Sequence, residues 1–368
     1  MRRRRFIRNA ALGAVGMGFA GRLQGCAPVS TDAEDFDAWT WVHGGQDRTE
    51  AEWAEHFARI REAGIQKVLV GGGDVELLSG VAHAQGMEFH RWEWILNRNG
   101  DAWAQENHPE WFTVSREGKS TLTDPPYVGY YRWVCPSRAP VRAYLAERMS
   151  EVAAQPGVDG VHLDYIRHSD VILPRGLWST YDIVQDQEYP PYDFCYCDAC
   201  RGQFMEEAGR DPLELEDPAA DAQWVRFRWD SVTRLVTELA EAVHGHGKPI
   251  SAAVFPTPTL ARQLVRQAWD QWPVDMLFPM LYQGFYEEDI DWIGEGVMEG
   301  VAALGGTGVA LRAGLYLPDL DPAQTREAIR VAREAGAAGV AFFEMNGLSD
   351  AHLEAVREAL EAHRARAG

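Results

Sequence analysis

Asp164 and Glu344 are the two carboxylates that the sequence places best for chemistry, because each ends a buried, strand-like segment. Asp164 closes the apolar stretch that starts at Val158, and Glu344 closes the stretch that starts at Ala338. Two carboxyls of this kind can supply one group that donates a proton and another that attacks or activates water. We predict Asp164 as nucleophile or base and Glu344 as the acid, since apolar neighbours favour a protonated carboxyl.

Several polar and aromatic side chains near the predicted strand ends are expected to contact a ligand. His162 lies two residues before Asp164, so strand alternation puts both on one face. His162 or Arg167 beside Asp164 would keep the pKa of that carboxyl low. The predicted ligand-contacting residues are Trp41, His43, Trp92, Glu93, His162, Tyr165, Arg167, Tyr282, Gln283 and Asn346.

The second carboxylate has an alternative in Glu93, which follows Trp92 on the third predicted strand. The segments that end the fifth and sixth strands, Phe255-Pro256-Thr257 and Tyr282-Gln283-Gly284, contain no carboxylate. A structural alternative also stands for each main candidate. Asp164 could simply pair with Arg167, and Glu344 could be only a hydrogen-bonding or ion-pairing residue.

Eight strand-like segments alternate with helical ones along the chain, which predicts a parallel sheet closed into an α/β (β/α)8 TIM barrel. An open doubly wound sheet is disfavoured, because Gly71-Gly72-Gly73 lacks the GxGxxG spacing of a dinucleotide turn. The predicted strands are residues 36–42, 65–70, 87–94, 158–164, 249–255, 274–282, 308–317 and 338–344.

Two connections are much longer than the usual few residues: 97–138 after the third strand and 167–223 after the fourth. Both follow strands, so both should lie over the carboxyl-terminal face of the barrel, where barrel active sites are found. They are rich in Trp, Tyr, Pro and Asp. This composition is typical of the walls of a groove for an extended ligand.

Four stretches carry a resemblance to a known family: Cys135-Pro136-Ser137, residues 141–145, residues 158–167 (VDGVHLDYIR) and Cys195-Tyr196-Cys197-Asp198-Ala199-Cys200 with Phe204. Together they resemble the exported glycosyl-hydrolase-like TIM-barrel proteins, distant relatives of the α-amylase and α-galactosidase groups. The resemblance is firm from about 133 to 204 and looser for residues 278–282 and the eighth strand. It implies that Asp164, on the fourth strand, is the nucleophile or catalytic carboxylate.

Such a protein would be a glycoside hydrolase that cleaves O-glycosidic bonds of a poly- or oligosaccharide without a required cofactor or catalytic metal. The alternative is a carbohydrate-binding protein on a barrel that has lost catalysis, with Asp164 accepting hydrogen bonds from sugar hydroxyls. A Schiff-base mechanism is disfavoured, because the only lysines, Lys67, Lys119 and Lys248, lie at strand starts or in a loop.

Four cysteines, Cys135, Cys195, Cys197 and Cys200, raise a separate question. The CxCxxC spacing with one distant cysteine fits a structural zinc site that pins the long loop. Disulfides and free thiols are the two other interpretations. In none of the three is the cluster catalytic.

The first thirty residues are predicted to be an export signal and linker, and residues 31–368 a single catalytic TIM-barrel domain. Arg3-Arg4-Arg5-Phe6-Ile7-Arg8 resembles a twin-arginine motif, and Leu23-Gln24-Gly25-Cys26 resembles a lipoprotein cleavage box. We therefore expect export to the periplasm or cell envelope, with a lipid at Cys26 as the sole membrane attachment.

The acidic charge of the chain argues against a nucleic-acid partner. The sequence has 35 basic and 55 acidic residues, and six of the arginines lie in the first 25 residues. The part beyond the signal therefore has 29 bases against 55 acids, a net charge of −26. Phosphate-rich polymers are repelled by such a surface, whereas neutral sugars are compatible with it.

Overall fold

Eight parallel strands close into a barrel in sequence order, and the last strand pairs with the first. The computed structural model describes residues 36–367. The predicted (β/α)8 barrel is confirmed. The strands are β1 Asp37–His43, β2 Lys67–Gly71, β3 Glu88–Trp94, β4 Gly160–Asp164, β5 Ile250–Val254, β6 Met276–Pro279, β7 Ala310–Tyr316 and β8 Gly339–Phe343.

Helices connect the strands and surround the barrel. They are α1 Glu50–Glu62, α2 Val75–Ala84, α3 Ala102–Asn107, α4 Ala139–Ala154, α5 Asp198–Ala208, α6 Ala222–His244, α7 Pro258–Val265, α8 Asp291–Ala303, α9 Pro322–Glu334 and α10 Asp350–Ala367. Helix α7 ends at Val265, because Arg266 takes a left-handed conformation with φ 57°. None of the helices in 36–367 is long and apolar enough to cross a membrane.

Each strand sends alternate side chains to two different cores, as the period of two requires. Val161 and Leu163 of β4 face outward and pack in the large core between the strands and the helices. The interior of the barrel holds a separate layer of mainly aromatic side chains. This interior layer consists of Trp39, Trp41, Leu69, Trp92, Ala253, Phe278 and Ala341.

Glycines at inward-facing strand positions make room for the interior rings. A Cβ on Gly71 would lie 2.7 Å from the indole of Trp92, and one on Gly160 would lie 2.4 Å from the ring of His90. Real Cβ atoms do not approach other atoms so closely, so a larger residue at either position would displace the ring. The two glycines therefore fix where Trp92 and His90 lie inside the barrel.

The base of the barrel, where the strands begin, is closed by an ion pair. Arg312 of β7 donates from Nε and Nη2 to the two carboxylate oxygens of Asp37 at the start of β1, at 2.7 and 2.8 Å. Lys67 Nζ lies 3.4 Å from the same carboxylate. The opposite face, where all eight strands end, is called the mouth below.

Residues 1–35 lie outside the described part of the chain. The twin-arginine motif, the lipoprotein box with Cys26, and the boundary between residues 30 and 31 fall there and stay predictions.

Candidate active site

The strand ends and the two long connections enclose a cavity of about 370 Å³ at the mouth of the barrel. It is called the mouth cavity below. Most of its wall is aromatic, and it contains two carboxylates, Asp164 and Asp170. The lining residues are His43, Trp92, Trp94, Tyr130, Tyr131, Asp164, Tyr165, Arg167, Asp170, Leu173, Pro174, Leu177, Tyr181, Phe255, Met280, Tyr282, Phe285, Tyr286, Tyr316 and Phe343.

Asp164 is held in the wall of this cavity by two hydrogen bonds. The backbone N–H of Tyr165 donates to Oδ1 at 2.6 Å, and Trp92 Nε1 donates to Oδ2 at 3.0 Å. Tyr165 has a left-handed backbone with φ 49°, which turns the chain directly after the carboxylate. Both bonds fix the orientation of Asp164, as a reacting group requires.

Burial raises the pKa of Asp164 above its ordinary value, although the two hydrogen bonds and Arg167 lower it. The expectation of a low pKa is therefore wrong, because burial outweighs these three effects, and the expected partners make their hydrogen bonds elsewhere. Arg167 Nη1 donates to Asp170 Oδ2 at 2.9 Å and to the backbone oxygen of His168 at 3.0 Å. His162 accepts from Trp41 Nε1 at 3.1 Å and shares a hydrogen bond with Ser251 at 2.8 Å.

Asp170 is a second carboxylate of the mouth cavity, and sequence reasoning missed it. It forms a buried ion pair with Arg167. The Arg167 guanidinium also lies over the rings of Trp133 and Phe255, with 4.9 Å to each ring centroid. Asp170 belongs to the connection after β4, where no strand period indicates which side chains point inward.

Glu344 is not among the residues that line the mouth cavity. The preceding residue, Phe343, is the last residue of β8 and lines the cavity. The Glu344 carboxylate instead accepts hydrogen bonds from Asn346 Nδ2 at 2.9 and 3.2 Å, and Asn346 Oδ1 accepts from Arg48 at 2.7 Å. Asn346 is exposed and does not line the mouth cavity either.

Glu93 lies on the opposite side of β3 from Trp92 and Trp94, because adjacent side chains of a strand point to opposite faces. Its Oε1 accepts a hydrogen bond from Arg91 Nε at 2.8 Å. Glu93 lines a neighbouring cavity of about 410 Å³ that shares His43, Trp92 and Trp94 with the mouth cavity. It is therefore close to the site without lining the cavity that holds Asp164.

Trp41 and His162 lie beneath the mouth cavity and do not line it. Both are buried inside the barrel, with 1% and 0% of their surface exposed. Their position does not support the predicted ligand contact; their mutual hydrogen bond makes them part of the layer that supports the site. Gln283 also lies outside the mouth cavity and lines a separate surface pocket beside Asp319.

Five predicted contact residues do line the mouth cavity: His43, Trp92, Tyr165, Arg167 and Tyr282. The rings that the structure adds come mostly from the two long connections and from the ends of β7 and β8. Trp94 and Tyr130 form the exposed rim, with 36% and 40% of their surface accessible. Trp94 packs against Tyr165 with 4.5 Å between ring centroids. Such partly exposed rings can stack against the apolar faces of a ligand.

Four buried cysteines, Cys135, Cys195, Cys197 and Cys200, come together away from the mouth cavity. Their sulfur atoms all lie within 4.8 Å of one another, so the group could hold a metal ion.

Comparisons with known proteins give structural likeness only. The chain matches no family model, and no curated protein matches its sequence. Solved structures with the same fold include the catalytic domain of β-amylase from Paenibacillus polymyxa, with a TM-score of 0.61 at 9% identity, covering 90% of this chain and 99% of that one. The PgaB (BpsB) glycoside hydrolase domain from Bordetella bronchiseptica has a TM-score of 0.60 at 14% identity. The match covers 88% of this chain and 99% of that one.

Gan42B, a GH42 β-galactosidase from G. stearothermophilus, gives a TM-score of 0.63 at 11% identity, covering 92% of this chain and 58% of that one. These structural neighbours are glycoside hydrolases built on TIM barrels. At such identities the likeness shows the fold and leaves the activity of this chain to be argued from its site.

Proposed function

We propose that this protein is a glycoside hydrolase that cleaves O-glycosidic bonds in the mouth cavity. The observation that carries the proposal is Asp164, a hydrogen-bonded carboxyl with a burial-raised pKa in an aromatic cavity at the barrel mouth. Hydrolysis of a glycosidic bond needs a carboxyl that stays protonated long enough to protonate the leaving oxygen. The fold shared with glycoside hydrolases adds support by analogy.

The raised pKa makes Asp164 better suited to act as the general acid than as the nucleophile or base expected from the sequence. The second carboxylate is then Asp170, which lines the same cavity and is paired with Arg167. It would act as the base or nucleophile. Glu344, the acid proposed from the sequence, is the alternative second carboxylate, although it does not line the cavity.

The substrate that fits this site is a neutral or cationic glycan. The aromatic wall offers flat apolar surfaces, and the rim formed by Trp94 and Tyr130 is open to solvent. The strongly acidic composition of the chain disfavours a polyanionic substrate.

The test is turnover of a panel of neutral and cationic oligosaccharides by the wild type and by Asp164→Asn. We expect the variant to lose a factor of about 10² to 10⁴ in rate on natural glycans, which is the usual contribution of a general acid. Aryl glycosides with good leaving groups need little protonation, so on these the variant should retain much of its activity. Asp230→Asn, in an exposed ion pair with Arg226 outside the cavity, is the control.

Asp170→Asn and Glu344→Gln identify the second carboxylate. Loss of the base or nucleophile leaves room for azide to attack the substrate directly, so that variant should form a glycosyl azide of inverted configuration. In Asp164→Asn, azide could react only with a covalent glycosyl-enzyme, which gives a glycosyl azide of retained configuration. An inverted glycosyl azide from Asp164→Asn would reverse the acid assignment. Full activity of Asp164→Asn on every substrate would remove Asp164 from the mechanism.

A carbohydrate-binding protein without turnover is the second candidate. The observation that favours it is that the described residues that follow β5 and β6 at the mouth, Phe255 and Tyr282, bring no carboxylate to it. Oligosaccharide binding by the wild type, measured calorimetrically, with no product from any glycan would support this function over hydrolysis.

Export and lipid anchoring are proposed from the sequence alone. The twin-arginine-like motif and the box around Cys26 support a cell-envelope location. Fractionation of cells that produce the wild type or Cys26→Ser tests it: the wild type should be found with membranes and the variant in the soluble envelope fraction.

A further inference from the structure

The four buried cysteines converge on one point from two separate connections of the barrel. Cys135 belongs to the connection after β3, whereas Cys195, Cys197 and Cys200 belong to the connection after β4. Cys135 Sγ lies 3.4 Å from Cys200 Sγ and 3.7 Å from Cys197 Sγ. All four side chains are buried, none with more than 3% of its surface exposed.

These distances fit a tetrahedral metal and not disulfides. A disulfide joins sulfurs about 2.05 Å apart, much closer than any of these pairs. Zinc bound by four thiolates has Zn–S bonds of about 2.3 Å, which places the sulfurs roughly 3.8 Å apart at the corners of a tetrahedron. The 3.4 and 3.7 Å separations lie near that value.

The surroundings of the cluster can balance the charge of bound thiolates. The backbone N–H of Val114 donates to Cys195 Sγ at 3.5 Å, and Cys197 is the N-cap of α5, where the helix dipole favours negative charge. The Arg138 guanidinium pairs with Asp198, the residue after Cys197, which places a positive charge near the cluster. Zinc sites of this kind depend on such surrounding donors.

The aromatic packing around the cluster keeps water away from it. Phe194, Tyr196, Phe204, Trp224 and Phe227 form one buried cluster with the cysteines. Four thiols that meet at one buried point from chain segments sixty residues apart are difficult to explain by apolar packing alone.

We propose that Cys135, Cys195, Cys197 and Cys200 bind one structural zinc ion that clamps the connection after β3 to the connection after β4. The site lies away from the mouth cavity, so the proposal does not depend on the glycosidase function. Both clamped connections supply walls of that cavity, which gives the clamp a role in holding the site together.

The test is the metal content of the purified full-length chain, measured by inductively coupled plasma mass spectrometry. We expect about one zinc per chain, released when a mercurial reagent blocks the thiols. Protein produced with cobalt instead should show the intense visible absorption of a tetrahedral Co²⁺–thiolate centre. Cys200→Ser should lose the metal, whereas Cys26→Ser, the matched control at the fifth cysteine of the sequence, should keep it.

The cobalt spectrum and the thiol count of the wild type remain decisive even when Cys200→Ser fails to fold. Wild-type protein that is folded and free of metal would overturn the proposal. So would an intact mass that shows disulfides among the four cysteines, or zinc that stays at the same level in a folded Cys200→Ser variant.

Discussion

Trp92 Nε1 donates a 3.0 Å hydrogen bond to Asp164 Oδ2, which joins the interior layer of the barrel to the carboxylate of the mouth cavity. Trp92 lies on β3 and Asp164 on the neighbouring strand β4. The missing side chain of Gly71 leaves room for the indole. Three neighbouring strands therefore determine where this carboxylate lies.

Loss of that hydrogen bond should shift the pH profile of the reaction. The bond lowers the pKa of Asp164 against the larger effect of burial, so Trp92→Phe should raise this pKa further. With Asp164 as the acid, activity falls as pH rises through its pKa, and this limb should move to higher pH in the variant. The pH dependence of kcat/KM measures the shift.

Trp39→Phe is the matched control, because Trp39 also lies inside the barrel but its Nε1 has no hydrogen-bond partner. Trp39→Phe should leave this limb of the pH profile of kcat/KM unchanged. The same profile in Trp92→Phe and wild type would contradict the assignment of the limb to Asp164.

Asp164 should reduce stability at neutral pH. Because burial raises its pKa in the folded state above the unfolded value of 3.8, the folded protein holds this proton more tightly. The wild type thus loses stability as pH rises through the folded pKa. Asp164→Asn does not ionise, so its Tm relative to the wild type should increase from pH 4 to pH 8. A constant difference in Tm over that range would disprove this expectation.

Trp94 should contribute to ligand affinity through its exposed ring. Trp94→Ala is expected to weaken oligosaccharide binding by about 1 kcal/mol, or roughly fivefold in Kd, as for other aromatic stacking contacts. Trp103→Ala is the control, since Trp103 is 50% exposed but stacks on Tyr144 outside the cavity. Titration calorimetry measures both variants, and equal affinities would remove Trp94 from the binding surface.

The ion pair between Arg228 and Asp193 should be essential to the connection after β4. Both side chains are almost fully buried, so Arg228→Met leaves a buried carboxylate without its charged partner and with the Tyr196 hydroxyl still donating to it. We expect a loss of about 3–5 kcal/mol in the free energy of unfolding. Arg226→Met, two residues earlier, breaks only the exposed pair with Asp230 and should cost about 0–1 kcal/mol. Urea denaturation measures the free energy of unfolding of both variants. Similar losses in Arg228→Met and Arg226→Met would contradict this prediction.

Acid should destabilise the protein partly through His168. Burial, with Arg228 and Arg266 nearby, lowers the pKa of His168 from 6.5 to about 3. The unfolded chain then binds a proton that the folded chain does not, so stability is lost as pH falls below 6.5. His168→Asn should make the decline between pH 6.5 and pH 4 less steep in urea titrations. If stability falls with pH equally steeply in the variant and the wild type, groups other than His168 cause the loss of stability.

Alternation along the strands made much of the barrel predictable. Apolar runs of strand length separated by helices indicated all eight strands, and the period of two put His162 and Asp164 on one face. The same rule should have excluded Glu93, because its neighbour Trp92 points into the barrel and adjacent strand residues point to opposite sides. Glu344 lies beyond the end of β8, where the strand period no longer indicates direction.

From the sequence, the aromatic wall of the cavity could be predicted only as an abundance of aromatic residues in the two long connections. Tyr130, Tyr181 and Asp170 lie on connections without a repeating period, and their direction depends on distant contacts. The hydroxyl of Tyr127, for example, donates to the backbone oxygen of Asp170 at 2.8 Å, across 43 positions of sequence. Pairings of this range are set by tertiary packing and leave no local pattern in the sequence.

The described part of the chain enters the barrel at its base. β1 begins at Asp37 on the face opposite the mouth. The junction with the preceding residues and the mouth cavity thus lie at opposite ends of the strands, so a ligand can enter the mouth without passing that junction.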